Sequence, residues 1–130
     1  MTPTGVRLMS NPFQVIGGNP ITETEQNKNL DLNSRIASLI NSAPIMLFMK
    51  GTPDMPQCGF SANVCKILNQ QGVSFNTFNI LGDMDIREGV KNYSNWPTYP
   101  QLYVSGQLIG GNDIITEMMN NGELEATLKL

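Results

Sequence analysis

The order of three segments near the middle of the chain limits the fold more than any other feature. The apolar run IMLFM (45–49) has the length of a buried strand, and SFNTFNI (74–80) alternates as a second strand. Between them, GFSANVCKILNQ (59–70) repeats apolar residues at helical spacing. A strand, a helix and a strand in this order form a crossover connection, which makes the two strands parallel in one sheet.

Helical patterns flank this unit on both sides. The run DLNSRIASLINS (31–42) places its leucines and isoleucines on one face, and Asn33 or Ser34 is the expected N-cap. A second pattern, MDIREGVKNYS (84–94), predicts a helix that Gly89 weakens.

The C-terminal part adds a hairpin and two helices. QLYVS and QLIG read as antiparallel strands joined by a turn at Ser105–Gly106. A helix is expected from Asn112 or Asp113 to about Gly122, and a short helix follows. The predicted fold class is therefore α/β, a thioredoxin-like fold with a four-stranded mixed sheet flanked by helices on both faces.

Residues 1–30 differ in composition from the rest of the chain. They contain three prolines, three glycines and the polar run TETEQNKN. Such a segment buries too little apolar surface to offset the entropy of ordering. We therefore predict a flexible N-terminal tail or linker over 1–30 and one domain over 31–130.

Charge and residue usage exclude several functions. A net charge of −3 argues against binding to a nucleic-acid backbone, and the longest apolar run, PIMLFM, is too short to span a membrane. With 0 histidines, Cys58 and Cys65 are the only strong nucleophiles and soft metal ligands. The N-terminus has no apolar signal core and few arginines, so the expected location is cytoplasmic, with a mitochondrion or another organelle as the alternative.

Cys58 is the first candidate for chemistry. It follows a loop with two prolines, KGTPDMPQ, and directly precedes the helix 59–70, where the helix dipole and free N–H groups favour a thiolate. Lys50 adds a positive charge at the end of the preceding strand. Cys65 lies two helical turns away, roughly 10 Å by helical rise, which is too far for a disulfide. We predict a structural role for Cys65.

Two motifs near the hairpin are candidates for binding a peptide. Tyr99–Pro100 precedes a strand, where a cis proline would leave the Tyr99 backbone free to pair with an extended ligand. In IGGND, Gly111 and Asn112 begin a helix whose N–H groups suit a carboxylate, and Asp113 can both cap this helix and accept a hydrogen bond from an ammonium group. Read alone, each motif is more typical of an ordinary turn or of a capped helix.

Arg87 and Lys91 lie one turn apart on a predicted helix and suit a second carboxylate. Read alone, they are more typical of a solvated charged face. Taken with Cys58 and the two hairpin motifs, they predict a groove for an extended dipolar peptide with two carboxylates and its middle beside a thiolate.

The motifs CGFS (58–61), NWPTYPQLYV and IGG followed by ND resemble the monothiol glutaredoxin family, and most closely the glutaredoxin domains of multidomain cytosolic thioredoxin–glutaredoxin proteins. The resemblance covers residues 33–130 and implies glutathione as the ligand. The resemblance implies that Lys50, Arg87 and Lys91 hold the glycyl carboxylate of glutathione. It implies that Tyr99, ahead of Pro100, pairs with the cysteinyl backbone. It also implies that Gly111, Asn112 and Asp113 bind the γ-glutamyl end.

The resemblance also implies a labile [2Fe-2S] cluster carried between two protomers. Its four thiolates would come from Cys58 of each chain and from one glutathione on each. The implied partners are a second copy of the chain when the cluster is loaded, a BolA-family protein and iron–sulfur client proteins. Some single-domain relatives carry a second cysteine where this chain has Asn112, so we expect no internal disulfide with Cys58.

Two other functions stay open. A glutathione-dependent thiol–disulfide oxidoreductase, which removes glutathione from protein thiols, needs only Cys58 and a second glutathione. The TPDMP insertion ahead of the cysteine favours the carrier, so we expect at most a weak oxidoreductase. The third function is a regulatory module whose cluster state is sensed by a partner.

Overall fold

The computed structural model describes the backbone of residues 23–129 and the side chains of residues 31–129. This part of the chain forms five helices and four strands, and a 3₁₀ turn at Ile80–Gly82 follows the second strand. In chain order the elements are α1 (Glu23–Ile40), β1 (Ile45–Met49), α2 (Gly59–Gln70), β2 (Asn76–Asn79), α3 (Met84–Ser94), β3 (Gln101–Val104), β4 (Gln107–Gly110), α4 (Asn112–Asn121) and α5 (Glu123–Leu128).

The four strands form one mixed sheet in the order β2-β1-β3-β4. β1 pairs with β2 in parallel, as the crossover through α2 requires, and β3 is antiparallel to both β1 and β4. The hairpin turns at Ser105 and Gly106, which both have positive φ values, as a two-residue turn between twisted strands needs. The predicted fold class is confirmed.

Helices cover both faces of the sheet, and the alternation of β1 divides its side chains between two cores. Ile45, Leu47 and Met49 pack with the buried faces of α2, α4 and α5. Met46 and Phe48 lie on the opposite face, with apolar residues of α1 and α3. Every residue of β1 is buried, which explains its uninterrupted apolar sequence.

The predicted start of the first helix at Asn33 or Ser34 is wrong, because α1 begins at Glu23. The predicted tail over 1–30 is based on the small apolar surface that this segment can bury. However, Glu, Gln and Lys are good helix formers, and extending an existing helix avoids the cost of nucleation. Residues 1–22 of the predicted tail lie outside the described residues, and the domain boundary at residue 31 stays a prediction.

Two smaller predictions also need correction. The second strand ends at Asn79, because the Asn79 side chain accepts a hydrogen bond from the Leu81 N–H and starts the 3₁₀ turn. Asp113 does not cap α4, whose N-cap is Gly111. Asp113 instead lies in the first helical turn, where its negative charge still faces the positive end of the helix dipole.

Gly89, expected to weaken α3, lies where α3 meets α1. A Cβ at this position would lie 2.9 Å from Ile36 Cδ1 and 3.0 Å from Leu32 Cδ2. The glycine therefore permits a close approach between the two helices. Among the described residues, no helix is both long and apolar enough to cross a membrane.

Candidate functional site

Cys58 lies between the sheet and α2, at the N-cap position of that helix. Its backbone is extended (φ −151°, ψ 131°), and its carbonyl accepts the first helical hydrogen bond from the Ala62 N–H at 2.9 Å. The thiol is partly exposed. The local sequence therefore puts a reachable sulfur atom next to the free N–H groups of a helix start.

The loop before Cys58 is closed by its own backbone. The Gln57 N–H donates to the Lys50 carbonyl at 2.9 Å. Gly51 has a φ of +93°, and a Cβ there would lie 2.5 Å from the Met55 carbonyl oxygen, so only glycine suits this turn. The proline-containing loop thus returns the chain to the end of β1 and holds Cys58 there.

Several groups act on the pKa of the Cys58 thiol. Partial burial raises it, but the backbone N–H groups of Ser61 and Phe60, the Ser61 hydroxyl and the charge of Lys50 together outweigh burial. The net result is a pKa below the usual value for cysteine. Hydrogen bonds and a nearby cation both stabilise the thiolate, which is the form that attacks disulfides and binds metals.

Ser61 occupies the position at which dithiol proteins carry their second cysteine. It is fully buried, and its Oγ accepts a hydrogen bond from the Lys50 N–H at 3.1 Å. Because that bond uses one lone pair of the oxygen, the hydroxyl proton remains available to the Cys58 sulfur. Ser61 therefore links β1 to α2 and stabilises the thiolate at the same time.

We predict that Ser61→Ala raises the pKa of the Cys58 thiol. The variant loses the hydroxyl hydrogen bond to the thiolate, so the rise of iodoacetamide alkylation rate with pH should move to higher pH. The measurement uses a Cys65→Ser background so that one thiol reacts. The control is Ser42→Ala, which removes a hydroxyl that donates to the Leu39 carbonyl and not to Cys58. Its alkylation profile should match that of the Cys65→Ser protein. An unchanged profile in Ser61→Ala would contradict the assigned role.

A cavity of about 500 Å³ opens beside Cys58. It gathers residues from the end of β1, the start of α2, α3, the segment before β3 and the start of α4. All the predicted site residues except Pro100 line it: Lys50, Cys58, Arg87, Lys91, Tyr99, Gly111, Asn112 and Asp113. The structure thus brings the separate sequence motifs together, while their roles toward a ligand stay predictions.

Sequence reasoning missed five residues that also line the cavity. They are Phe60, Trp96, Pro97, Thr98 and Ile114. Their position beside predicted site residues was the available signal, because each lies within two or three positions of Cys58, Tyr99 or Asp113. The buried Gln101 holds part of this wall, since its Nε2 donates to the carbonyls of Trp96 at 3.1 Å and Thr98 at 3.2 Å.

The cavity lining includes three cations. Lys50, Arg87 and Lys91 all line it, and the Lys91 side chain is 29% exposed. Lys91 Nζ also lies 3.2 Å from Glu88 Oε2, one turn back on α3. These cations therefore suit a carboxylate ligand, and the Glu88 carboxylate competes with such a ligand for Lys91.

The start of α4 also lines the cavity. A Cβ at Gly111 would lie 3.2 Å from the Pro100 carbonyl oxygen and 3.5 Å from Trp96 Nε1, so the chain is tightly packed here. Asp113 is exposed and brings a negative charge to the cavity lining. A ligand with an ammonium and a carboxylate matches Asp113 together with the free N–H groups of the helix start.

Tyr99 is a further residue of the cavity lining. The Tyr99–Pro100 peptide bond is cis, and within residues 31–129 the Tyr99 backbone makes no hydrogen bond to another backbone group. Its side chain points elsewhere, because the hydroxyl donates to the Arg87 carbonyl at 2.7 Å. The backbone is therefore available to a ligand, and the side chain fastens this wall to α3.

Cys65 is not among the residues that line the cavity. It is 4% exposed, its Sγ lies 3.5 Å from Met49 Sδ in the core, and burial raises the pKa of its thiol. Among the described residues, no three His, Cys, Asp or Glu side chains are grouped so that they could hold a metal ion. Of the two cysteines, Cys58 is therefore the one placed for chemistry.

Comparison with known families settles the relationship of the chain. The glutaredoxin family model matches residues 45–109. The chain belongs to the glutaredoxin family. It is 58% identical over 97 residues to Glutaredoxin 3 of Danio rerio, covering 75% of this chain and 30% of that protein. It is 51% identical over 102 residues to a monothiol glutaredoxin of Synechocystis sp., ycf64-like and uncharacterized, covering 78% of this chain and 95% of that protein.

The predicted membership of the monothiol glutaredoxins is thereby confirmed. The chain spans 20–40% of the length of the longer curated relatives that it matches. Two solved glutaredoxins share its fold. Reduced apo GrxS14 of poplar matches with a TM-score of 0.68 at 44% identity, over 75% of this chain and 90% of that one. A buckwheat glutaredoxin–glutathione complex matches with a TM-score of 0.69 at 25% identity, over 83% of this chain and 94% of that one.

Proposed function

We propose that this monothiol glutaredoxin binds glutathione beside Cys58 and carries a labile [2Fe-2S] cluster between two protomers. The observation that carries the proposal is a single partly exposed thiol of lowered pKa in the wall of a cavity that three cations and a carboxylate also line. A thiolate in such a setting binds metals and attacks disulfides.

Glutathione has the chemistry that the cavity requires. It is an extended tripeptide with two carboxylates, one ammonium and a central thiol. Its glycyl carboxylate would meet Lys50, Arg87 and Lys91, and its γ-glutamyl end would meet the start of α4 with Asp113. The buckwheat relative, whose structure is that of a complex with glutathione, supports this choice of ligand.

The cluster is the cargo of the proposed carrier. A [2Fe-2S] cluster takes four thiolates, whereas the described part of the chain offers one accessible cysteine. Two copies of Cys58 and two glutathione thiols complete the set, which fits a homodimer that forms around the cargo. Because half of the ligands are small molecules, the cluster is free to leave for a client protein. A BolA-family protein is a proposed partner, and the cytoplasm is the proposed compartment.

A second candidate function is the removal of glutathione from protein thiols. The Cys58 thiolate would attack the glutathionyl sulfur of a mixed disulfide, and the protein thiolate would leave and take up a proton. A second glutathione would then attack the Cys58 mixed disulfide and release glutathione disulfide. The lowered pKa of Cys58 favours the first step, and the reaction needs no second cysteine.

We predict that cluster assembly requires glutathione. Anaerobic reconstitution with iron, sulfide and glutathione should give visible absorption and a dimer, because all four thiolates are then supplied. With dithiothreitol as the sole thiol, the yield should be low or the cluster unstable. Equal yield and stability without glutathione would contradict shared ligation. Absence of a cluster together with rapid glutathione-dependent deglutathionylation would favour the second function.

A further inference from the structure

A row of hydrogen-bonded side chains connects α2 to the start of α4. Asn63 Nδ2 donates to Asn112 Oδ1 at 2.7 Å and to Thr116 Oγ1 at 3.2 Å. Asn112 Nδ2 in turn donates to Asp113 Oδ1 at 3.3 Å. Asn63 does not line the cavity beside Cys58, so neither the sequence motifs nor the cavity lining assigns it a role.

The direction of these hydrogen bonds has a consequence for Asp113. Because the Asp113 carboxylate only accepts hydrogen bonds, the Asn112 amide turns its NH₂ group toward Asp113 and its oxygen toward the NH₂ group of Asn63. A donor on Asp113 Oδ1 restricts the rotamers of this exposed carboxylate, whose ordering otherwise costs entropy. The other oxygen, Oδ2, keeps its capacity to accept from an ammonium group.

We propose that Asn63 is a positioning residue for the α-ammonium of the γ-glutamyl end of glutathione. It acts through Asn112 by holding the Asp113 carboxylate in the orientation that receives the ammonium. This inference rests on the proposed glutathione binding, and it adds a residue outside the cavity to the determinants of ligand selectivity.

The test compares two ligands, glutathione and a deaminated glutathione in which a glutaryl group replaces the γ-glutamyl group. The second ligand lacks only the ammonium. Binding is followed by calorimetry or by the fluorescence of Trp96, which is the single tryptophan of the chain and lines the cavity. For Asn63→Ala and the similarly sized Asn63→Leu, the Kd of glutathione should rise about threefold to tenfold. The Kd of the deaminated ligand should stay unchanged.

Thr116→Val is the matched control. It removes the second hydrogen-bond acceptor of Asn63, the Thr116 hydroxyl, but leaves the hydrogen bonds from Asn63 through Asn112 to Asp113. Both Kd values should therefore equal those of the wild type. Equal weakening of both ligands by the Asn63 variants would indicate general distortion and overturn the proposal. Unchanged glutathione affinity in these variants would also overturn it. A wild type that binds neither ligand would overturn the proposed function, and this inference with it.

Discussion

Cys58→Ser is expected to retain no detectable [2Fe-2S] cluster after reconstitution with glutathione, whereas Cys65→Ser is expected to retain most of the wild-type amount. Cys58 presents a partly exposed thiol whose pKa is lowered by hydrogen bonds and Lys50, against the opposing effect of burial. Cys65 lies in the core, where burial raises the pKa of its thiol. A serine hydroxyl stays protonated at neutral pH and does not replace a thiolate ligand.

Both variants should fold, which keeps the comparison informative. Serine is a preferred N-cap residue, so Cys58→Ser suits the start of α2. Iron and sulfide content, visible absorption and the melting temperature are measured on all three proteins. In addition, iodoacetamide should label one thiol in the native wild type and none in Cys58→Ser. Comparable iron content in Cys58→Ser, or loss of the cluster only in Cys65→Ser, would refute the assignment of the ligand.

The double variant Arg87→Ala/Lys91→Ala is expected to bind glutathione at least about tenfold more weakly than the wild type. Each charge-assisted hydrogen bond from these side chains to the glycyl carboxylate contributes about 1.5–3 kcal/mol when shielded, and about 1.4 kcal/mol is a factor of ten. Both residues line the cavity and are partly buried, so water screens them less than fully exposed cations. Glutathione titration of the apo protein gives the affinity.

The control for this variant is Lys66→Ala/Lys129→Ala, which removes two exposed cations outside the cavity lining and gives the same net charge. Its glutathione affinity should change little. Glu88→Gln offers a test in the opposite direction, because it frees Lys91 from its 3.2 Å ion pair and should tighten binding. Unchanged affinity in the double variant, or a large fall in its melting temperature, would remove this pair from the binding site.

Much of the candidate site could be predicted because it depends on local chemistry. The helix pattern that begins at Gly59 placed Cys58 at a helix start, and eight of the nine predicted site residues line one cavity. Pro100 is the exception, and it acts within the chain as the cis residue before β3. Phe60, Trp96 and Ile114 were missed because apolar residues that line a cavity have no periodicity of their own.

The sequence by itself determined the order of the elements, the parallel pairing across α2 and the position of Cys58, because periodicity, turn residues and chain connectivity are local properties. Only the tertiary structure decided which side chains meet across the fold. It showed that the Ser61 hydroxyl accepts a hydrogen bond from the Lys50 N–H and that Gly89 leaves room for the Ile36 side chain. It also showed that the Asn63 side chain donates a hydrogen bond to Asn112. These contacts join residues 11, 53 and 49 positions apart. Such contacts depend on how α1, α2 and α4 pack against the sheet, which sequence spacing does not encode.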